Sequence, residues 1–393
     1  MRILFPTIVY EISGGSIYND LINCLLENNH DIVVCRSNPS VDRNGLMVIS
    51  NKFSVLEIKT GNQFEKKIFK KGLNMLLLEN QFIAGIKENL NNHEFDLILY
   101  ATPPISLNGV VAYCKRKYKA KAFLMLKDIF PQNAVDLDMM KKNGLIYKFF
   151  RRKEHKLYEI SDYIGCMSEK NKEYLKPFGS HIYKKSDIFY NSVKFKQKPQ
   201  NISNNKATTT FLFGGNIGKP QNISTLIKII DNLRDYSKAN FIIVGKGAES
   251  FLCEEYARKH NNHFKFYPYM ASKEYEKLLE QIDVGIISLD PRFTIANIPS
   301  KLSTYCKLGK PILAITDTYT DVKDMIYDAD CGWWCSALDY NDIIHTIKKI
   351  CESKEIQAKK ANNAYLYGKK FFNVEKNVKQ IEKFMEDSLY DTI

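Results

Sequence analysis

Apolar residues along this chain come in two rhythms that alternate from end to end. Short, nearly continuous apolar runs recur in the first half: RILFPTIV, HDIVVCR, FDLILYATPP, AKAFLMLKD and DYIGCMSE. Runs of that length, bounded by turn-forming residues, predict strands buried on both faces of a sheet. Between them lie stretches with apolar residues at helical spacing, such as Ile17, Leu21, Ile22 and Leu25, which predict helices with one apolar face. After the polar segment SVKFKQKPQNISNNKATTT the alternation restarts. FLFGGNIG, a helix through Leu226 and Ile230, NFIIVGKGAE, HFKFYPY, DVGIISLD and PILAI follow in order. Strand-helix alternation builds parallel sheets with helices on both faces. Two rounds of it predict an α/β protein of two Rossmann-like, doubly wound domains facing across a cleft. The domains are expected at residues 1–195 and 211–372, with a linker over 196–210. A C-terminal helix over 373–393 is placed to pack back on the first domain.

Composition sharpens this picture. The 393 residues are 45% apolar and 12% aromatic, which supports two buried cores and excludes a largely disordered chain. No apolar run approaches the length that crosses a bilayer. The opening MRILFPTIVYEISGG lacks the long apolar stretch and cleavage site of a secretory leader, so a cytoplasmic location is expected. Nine cysteines are scattered, and the one close pair, Cys331 and Cys335, does not have the spacing of a zinc or redox box. Reduced, buried thiols and no metal are therefore expected. The net charge of +13 is uneven: up to Phe195 there are 29 Lys and Arg against 20 Asp and Glu. An acidic partner is expected for that half. Nucleic acid is disfavoured, because no reader motif or interleaving of basic and aromatic residues is present.

Three loops at strand ends carry the candidate chemistry. In FLFGGNIGKPQNISTL, Gly215, Asn216 and Lys219 stand where a strand turns into a helix, and glycines there let backbone N–H groups approach a phosphate. In NFIIVGKGAES, Gly245 and Lys246 end a strand on the same side of the sheet. In IPSKLSTYCKLGKPILA, Pro299 and Ser300 suit a helix start, with Ser300 expected as the cap. Lys301 does not suit it. A lysine in the first turn opposes the helix dipole unless an anion is shared, so Pro299, Ser300 and Lys301 are expected to hold a diphosphate.

In their order and spacing these segments resemble the donor-binding half of retaining GT-B glycosyltransferases of family 4. Within that family they are similar to the subgroup that builds bacterial capsule, O-antigen and exopolysaccharide repeats. The first half adds Gly14-Gly15 before a helix, NHDIVV, LKDIFPQ, SDYIGCMSE and FYNSV. The resemblance implies a nucleotide-sugar donor, UDP-linked and of N-acetylhexosamine type, and no metal cofactor. It places Gly215, Asn216, Lys219, Ser300 and Lys301 at the diphosphate, and Lys246 and Tyr267 at the base pocket. It also places Gly14 and Gly15 on the acceptor side, with Asp128 near the reacting hydroxyl. Two glutamates common among relatives are replaced by Ala296 and Thr304, which puts ribose binding in question. Asn216 and Gln221 stand where many relatives have Arg and Lys.

Retaining transfer passes through a cation-like sugar centre while a diphosphate leaves, so cations and backbone donors suit it and paired carboxylates are not required. Lys301 is expected to stabilise the leaving group. Asp128 is expected either to orient or deprotonate the acceptor, or to brace its loop. Asp136-Leu137-Asp138 has the spacing of a metal-nucleotide motif, but it follows FPQNAV in the basic half, away from the phosphate loops. From Met139 to Ile160, seven cations crowd around Leu145, Ile146, Phe149 and Phe150. That pattern predicts a helix lying on an anionic membrane through Phe149, Phe150, Arg151, Arg152 and Lys153. It would accompany a polyprenyl-diphosphate-linked saccharide as acceptor, with the protein peripheral at the inner face of the membrane. The alternative is a catalytically degenerate GT-B subunit that supports a partner transferase.

Overall fold

The computed structural model describes residues 1–62, 68–195 and 207–390. It comprises two compact units, Met1–Tyr190 with Val374–Ile393, and Asn191–Asn373. The boundary thus falls a few residues before the one read from the sequence. Most of the expected linker, residues 196–206, lies outside the described residues.

In the first unit eight strands form one sheet. They are β1 (Arg2–Thr7), β2 (Asp31–Asn38), β3 (Gly45–Ser50), β4 (Phe53–Lys59), β5 (Leu97–Ala101), β6 (Lys121–Leu126), β7 (Tyr163–Cys166) and β8 (Ser186–Ile188). Their order is β3-β4-β2-β1-β5-β6-β7-β8, parallel throughout except that β3 runs antiparallel to β4. Side chains alternate between two cores, as the strand period requires. Leu4, Ile98, Tyr100, Leu124 and Leu126 face one core, against Phe82, Val110 and Leu157. Ile3, Phe5, Leu99, Phe123 and Met125 face the other, against Leu21 and Leu25. The C-terminal helix Val374–Tyr390 closes this second core with Val374, Val378 and Ile381. Gln380 donates from Nε2 to the Ile188 carbonyl (2.9 Å) and His30 meets Glu382 (2.9 Å).

The second unit repeats the plan with β9 (Thr209–Gly214), β10 (Ala239–Val244), β11 (Phe264–Tyr267), β12 (Val284–Ser288), β13 (Ile312–Thr316) and β14 (Gly332–Ser336). All pairings are parallel, in the order β11-β10-β9-β12-β13-β14. In each sheet the strand order reverses direction at one place: between β1 and β5 in the first unit, and between β9 and β12 in the second. Loops at the carboxyl ends of those strands splay apart and leave a crevice, the usual binding position of such sheets.

Candidate functional site

At the β9/β12 crevice of the second unit two glycine loops pack directly on each other. The first runs from Gly214 through Gly218 into a single turn, Lys219–Gln221, before the helix Ile223–Asn232. The second leaves β10 as Gly245-Lys246-Gly247. Gly215 and Gly245 have φ of 124° and 152°, where a side chain is strained. A Cβ on Gly245 would lie 1.8 Å from the Gly215 carbonyl oxygen, and one on Gly247 2.0 Å from that of Ile217. Hydrogen bonds join the loops: Gly215 N–H to Val244 O (2.8 Å), Ile217 N–H to Lys246 O (3.0 Å) and Glu249 N–H to Ile217 O (3.0 Å). Asn216 and Gln221 bond each other, Nδ2 to Oε1, at 2.9 Å.

Lys301 projects onto this surface. It opens the helix Lys301–Lys307, and a Cβ on Gly215 would touch its Cε and Nζ at 2.7 Å. Its ammonium lies 4.9 Å from the centre of the buried Phe213 ring, a favourable cation–π arrangement. No carboxylate partners it among the described residues, and burial brings its pKa down to about 8. A desolvated ammonium without a counter-charge is unfavourable by itself and becomes favourable when an anion arrives. The Lys301–Lys307 helix ends at Gly309 (φ 57°), where Lys310 N–H returns to the Tyr305 carbonyl (2.9 Å).

One expectation is corrected here. Ser300 does not cap: its backbone is already helical and its hydroxyl makes no capping bond. Its carbonyl instead accepts from Ser303 Oγ (2.8 Å) and Thr304 Oγ1 (3.4 Å), and its side chain stays exposed beside half-buried Pro299. Lys246 follows β10, and Tyr267 ends the neighbouring β11. The Lys246 ammonium lies 5.7 Å from the ring centre of Tyr269, while Tyr267 accepts the Gly245 N–H through its carbonyl (2.9 Å). Lys219 is exposed, as expected for a diphosphate contact, but the neighbouring Asp290 is already clasped by Arg292 (Oδ1 to Nε and Oδ2 to Nη2, both 2.9 Å). Burial works against the Asp290 carboxylate, yet Arg292 with help from Lys219 holds its pKa below the usual value. Ala296 is buried, and nothing at its position reaches outward.

In the first unit the loops after β1 and β6 belong to the β1/β5 crevice. Gly14 N–H bonds the Glu11 carbonyl (3.0 Å), and Ser16 with Asn19 forms a capping box at the helix Ile17–Glu27. Neither Gly14 nor Gly15 has a positive φ. Thr102, just past β5, holds the loop after β6: its Oγ1 accepts from the N–H groups of Lys127 and Asp128, each at 3.1 Å, and donates to the Asp128 carbonyl (3.0 Å). The Asp128 carboxyl has no hydrogen-bond or ionic partner among the described residues, and burial lifts its pKa to about 6. Burial raises the Tyr18 phenol, and the Asp128 charge adds to that effect. The Gly14-Gly15 side of the crevice therefore comes close to the acid. Burial also brings Lys127 down to about 7, with its Nζ 5.3 Å from the Phe189 ring centre.

Asp136 accepts from Gln132 (2.7 Å), and among the described residues no three His, Cys, Asp or Glu side chains group as a metal site. The basic helix spans Leu145–Ile160. Leu145 and Ile146 are 86% and 65% exposed, and Phe149 is exposed as expected. Three other residues read as membrane contacts are turned inward. Phe150 packs on Phe130 (4.9 Å), Arg151 pairs with Glu154 (2.5 Å) over the Phe178 ring, and Lys153 pairs with Glu79 (2.7 Å). Arg152 stays exposed. Among the described residues no helix is long and apolar enough to cross a membrane.

Residues 194–371, nearly the whole second unit, match the family described as glycosyl transferases group 1. The second unit is a glycosyltransferase group 1 domain. The chain is 24% identical over 282 residues to the Probable glycosyltransferase WbjE of Pseudomonas aeruginosa, covering 69% of this chain and 70% of that one. Among solved structures it is similar to sucrose-phosphate synthase from Thermosynechococcus elongatus (TM-score 0.76, 12% identity, all of both chains). It is also similar to Anabaena HepE in complex with UDP-glucose (TM-score 0.67, 15% identity, 98% of this chain and 100% of that one). A third is WaaG, a glycosyltransferase involved in lipopolysaccharide biosynthesis (TM-score 0.64, 13% identity, 96% and 98%). The fold is GT-B.

Within the group 1 domain the sequence does not announce Phe213 beneath Lys301, since it reads as one more strand residue. Tyr269 beside Lys246 was likewise missed, as were Thr102, Lys127 and Tyr18 of the first unit. Each acquires its role only through a contact across strands or loops, and no local spacing signals it.

Proposed function

We propose that this protein transfers a sugar, with retention, from a UDP-N-acetylhexosamine-type donor to a lipid-linked saccharide at an anionic membrane surface. The observation that carries the reading is Lys301: a half-buried ammonium, desolvated and without a carboxylate partner among the described residues, lying on a glycine loop whose packing exposes backbone at the sheet's crevice. A departing nucleoside diphosphate supplies the missing anion, and preorganised charge of this kind is a large term in such reactions. The UDP and UDP-glucose complexes of HepE support a uridine donor, and the role of WaaG supports a surface glycan product. Asp128, ungripped and near pKa 6, is matched to accept a proton from an acceptor hydroxyl at neutral pH. No metal is assigned to the reaction. The replacement of two carboxylates by Ala296 and Thr304 favours a second reading, a degenerate subunit supporting a partner transferase.

A thermal-shift panel of nucleoside diphosphates and nucleotide sugars tests the donor. Stabilisation by UDP and a UDP-hexosamine, lost in Lys301→Ala, is expected. Stabilisation by no nucleotide would remove the donor assignment. Nucleotide binding by pure protein without transfer or hydrolysis would favour the degenerate subunit.

A further inference from the structure

The first unit contains two adjoining cavities, of which the steps above use only Asp128 in the wall of one. The larger, about 270 Å³, lies among Met75, Pro104, Ile105, Leu126, Phe130 and Leu157, with Asp128 and Asn133 also in its wall. The smaller, about 100 Å³, lies among Leu76, Phe149, Phe150 and Lys153. Met75 and Ile105 line both, and the Phe130–Phe150 ring pair connects the two walls. Phe149 continues onto the exposed apolar surface formed by Leu145 and Ile146 on the same helix.

We propose that these cavities hold the hydrocarbon chain of a phosphate-bearing lipid acceptor, with its polar head toward Asp128 and its tail leaving past Phe149 toward the bilayer. This rests on the reading of the protein as a transferase with a lipid-linked acceptor. The polar inventory of the walls separates a hydrocarbon from a saccharide. Thr102 Oγ1 is committed to the Asp128 and Lys127 backbone, and Glu154 is bonded by Arg151, Tyr158 and Tyr174. In the smaller cavity Glu79 and Lys153 pair with each other, and among the described residues one buried unpartnered polar side-chain atom remains in each wall besides half-buried Asp128: Asn133 Oδ1 and Ser106 Oγ. A sugar ring would bury several hydroxyls without partners, whereas a branched hydrocarbon matches the apolar walls.

Charge marks the entrance as facing an anionic surface. Lys148, Arg152 and Lys156 recur at helical spacing and, with His155, border an open depression of about 500 Å³. Phe149 and Lys153 form the adjacent stripe, at the smaller cavity. One helix thus presents a cationic row beside an apolar entrance, as an interfacial helix does.

The test compares binding of farnesyl diphosphate and inorganic pyrophosphate to the full chain by calorimetry. Farnesyl diphosphate is expected to bind at least about tenfold more tightly, because chain burial adds to the shared diphosphate term. Ile105→Trp and Met75→Trp, which fill the cavities, are expected to reduce its affinity to that of pyrophosphate while UDP binding is unchanged. Should Ile105→Trp fail to fold, Met75→Trp at the half-buried rim decides. Equal affinity of the two probes, or wild-type farnesyl diphosphate binding by a folded Trp variant, overturns the proposal. Chain-dependent binding without transfer to a lipid-linked saccharide would leave the cavity assignment standing and remove the transferase reading.

Discussion

The two units place opposite charges beside their crevices. Beside the crevice of the first stands a carboxyl lifted to about 6, and beside that of the second an ammonium lowered to about 8. Both lack a counter-charge among the described residues, yet they are positioned by different means. In the second unit backbone packs on backbone, and glycines at φ 124° and 152° are required for the loops to meet. In the first unit side chains do the positioning: Ser16 and Asn19 fix the β1 loop, and Thr102 fixes the β6 loop. A surface that meets oxygens with main-chain donors has to be steric at its base. A surface that offers one reactive carboxyl can be set by a few hydrogen bonds.

Several measurements can break that contrast. The largest effect is expected from Asp128→Asn, which should lower turnover by about 100-fold or more if the carboxyl takes a proton; a change within a few-fold leaves it a brace for its loop. The wild-type pH profile should lose rate as pH falls through about 6, where Asp128 becomes protonated. The sign for stability is opposite. The native acid keeps its proton in a window, from about 4 to 6, where the unfolded chain has lost it, so the ionised form costs stability above that window. Asp128→Asn should therefore raise the melting temperature at pH 7.

Next in size, Gly245→Ala should destabilise the second unit by about 2–4 kcal/mol, since its Cβ would overlap the Gly215 carbonyl. Gly14→Ala should cost less, on the order of 1 kcal/mol, because its φ is ordinary and its contacts, though tight at 3.1 Å, do not overlap as those of Gly245 do. Equal melting shifts would end the distinction between the loops. Smaller still, UDP affinity should fall as pH rises through about 8, as the free protein loses the Lys301 proton. The slope should reach at most about tenfold per pH unit and vanish in Lys301→Met. Smallest, Arg152→Glu should release the protein from anionic liposomes by a few-fold, whereas Arg151, paired with Glu154, should contribute through folding instead.

Much of the fold was legible, because a strand buried on both faces leaves an apolar run such as FDLILYA or DVGIISL. Strands without that signature were not seen. β3 is exposed along nearly its whole length, β8 is three residues long, and β14 carries half-buried tryptophans beside a turn. The glycine loops and Lys301 were also legible, since positive-φ positions and a misplaced cation leave local marks. Ser300 misled for a related reason. Its type suits a cap, but the chain enters that helix already turned, and the hydroxyl makes no capping bond. Phe150 and Lys153 read as a surface run until Phe130 and Glu79 arrive from elsewhere in the first unit, and Arg151 until Glu154, three residues on along the same helix, takes its guanidinium.

Calorimetric titration of UDP into wild type and Lys301→Met at pH 7, with melting curves confirming that both are folded, tests the donor site most directly. The expected result is a loss of more than about tenfold in affinity on removing the ammonium. Equal affinity in two folded proteins would contradict a diphosphate site at Lys301.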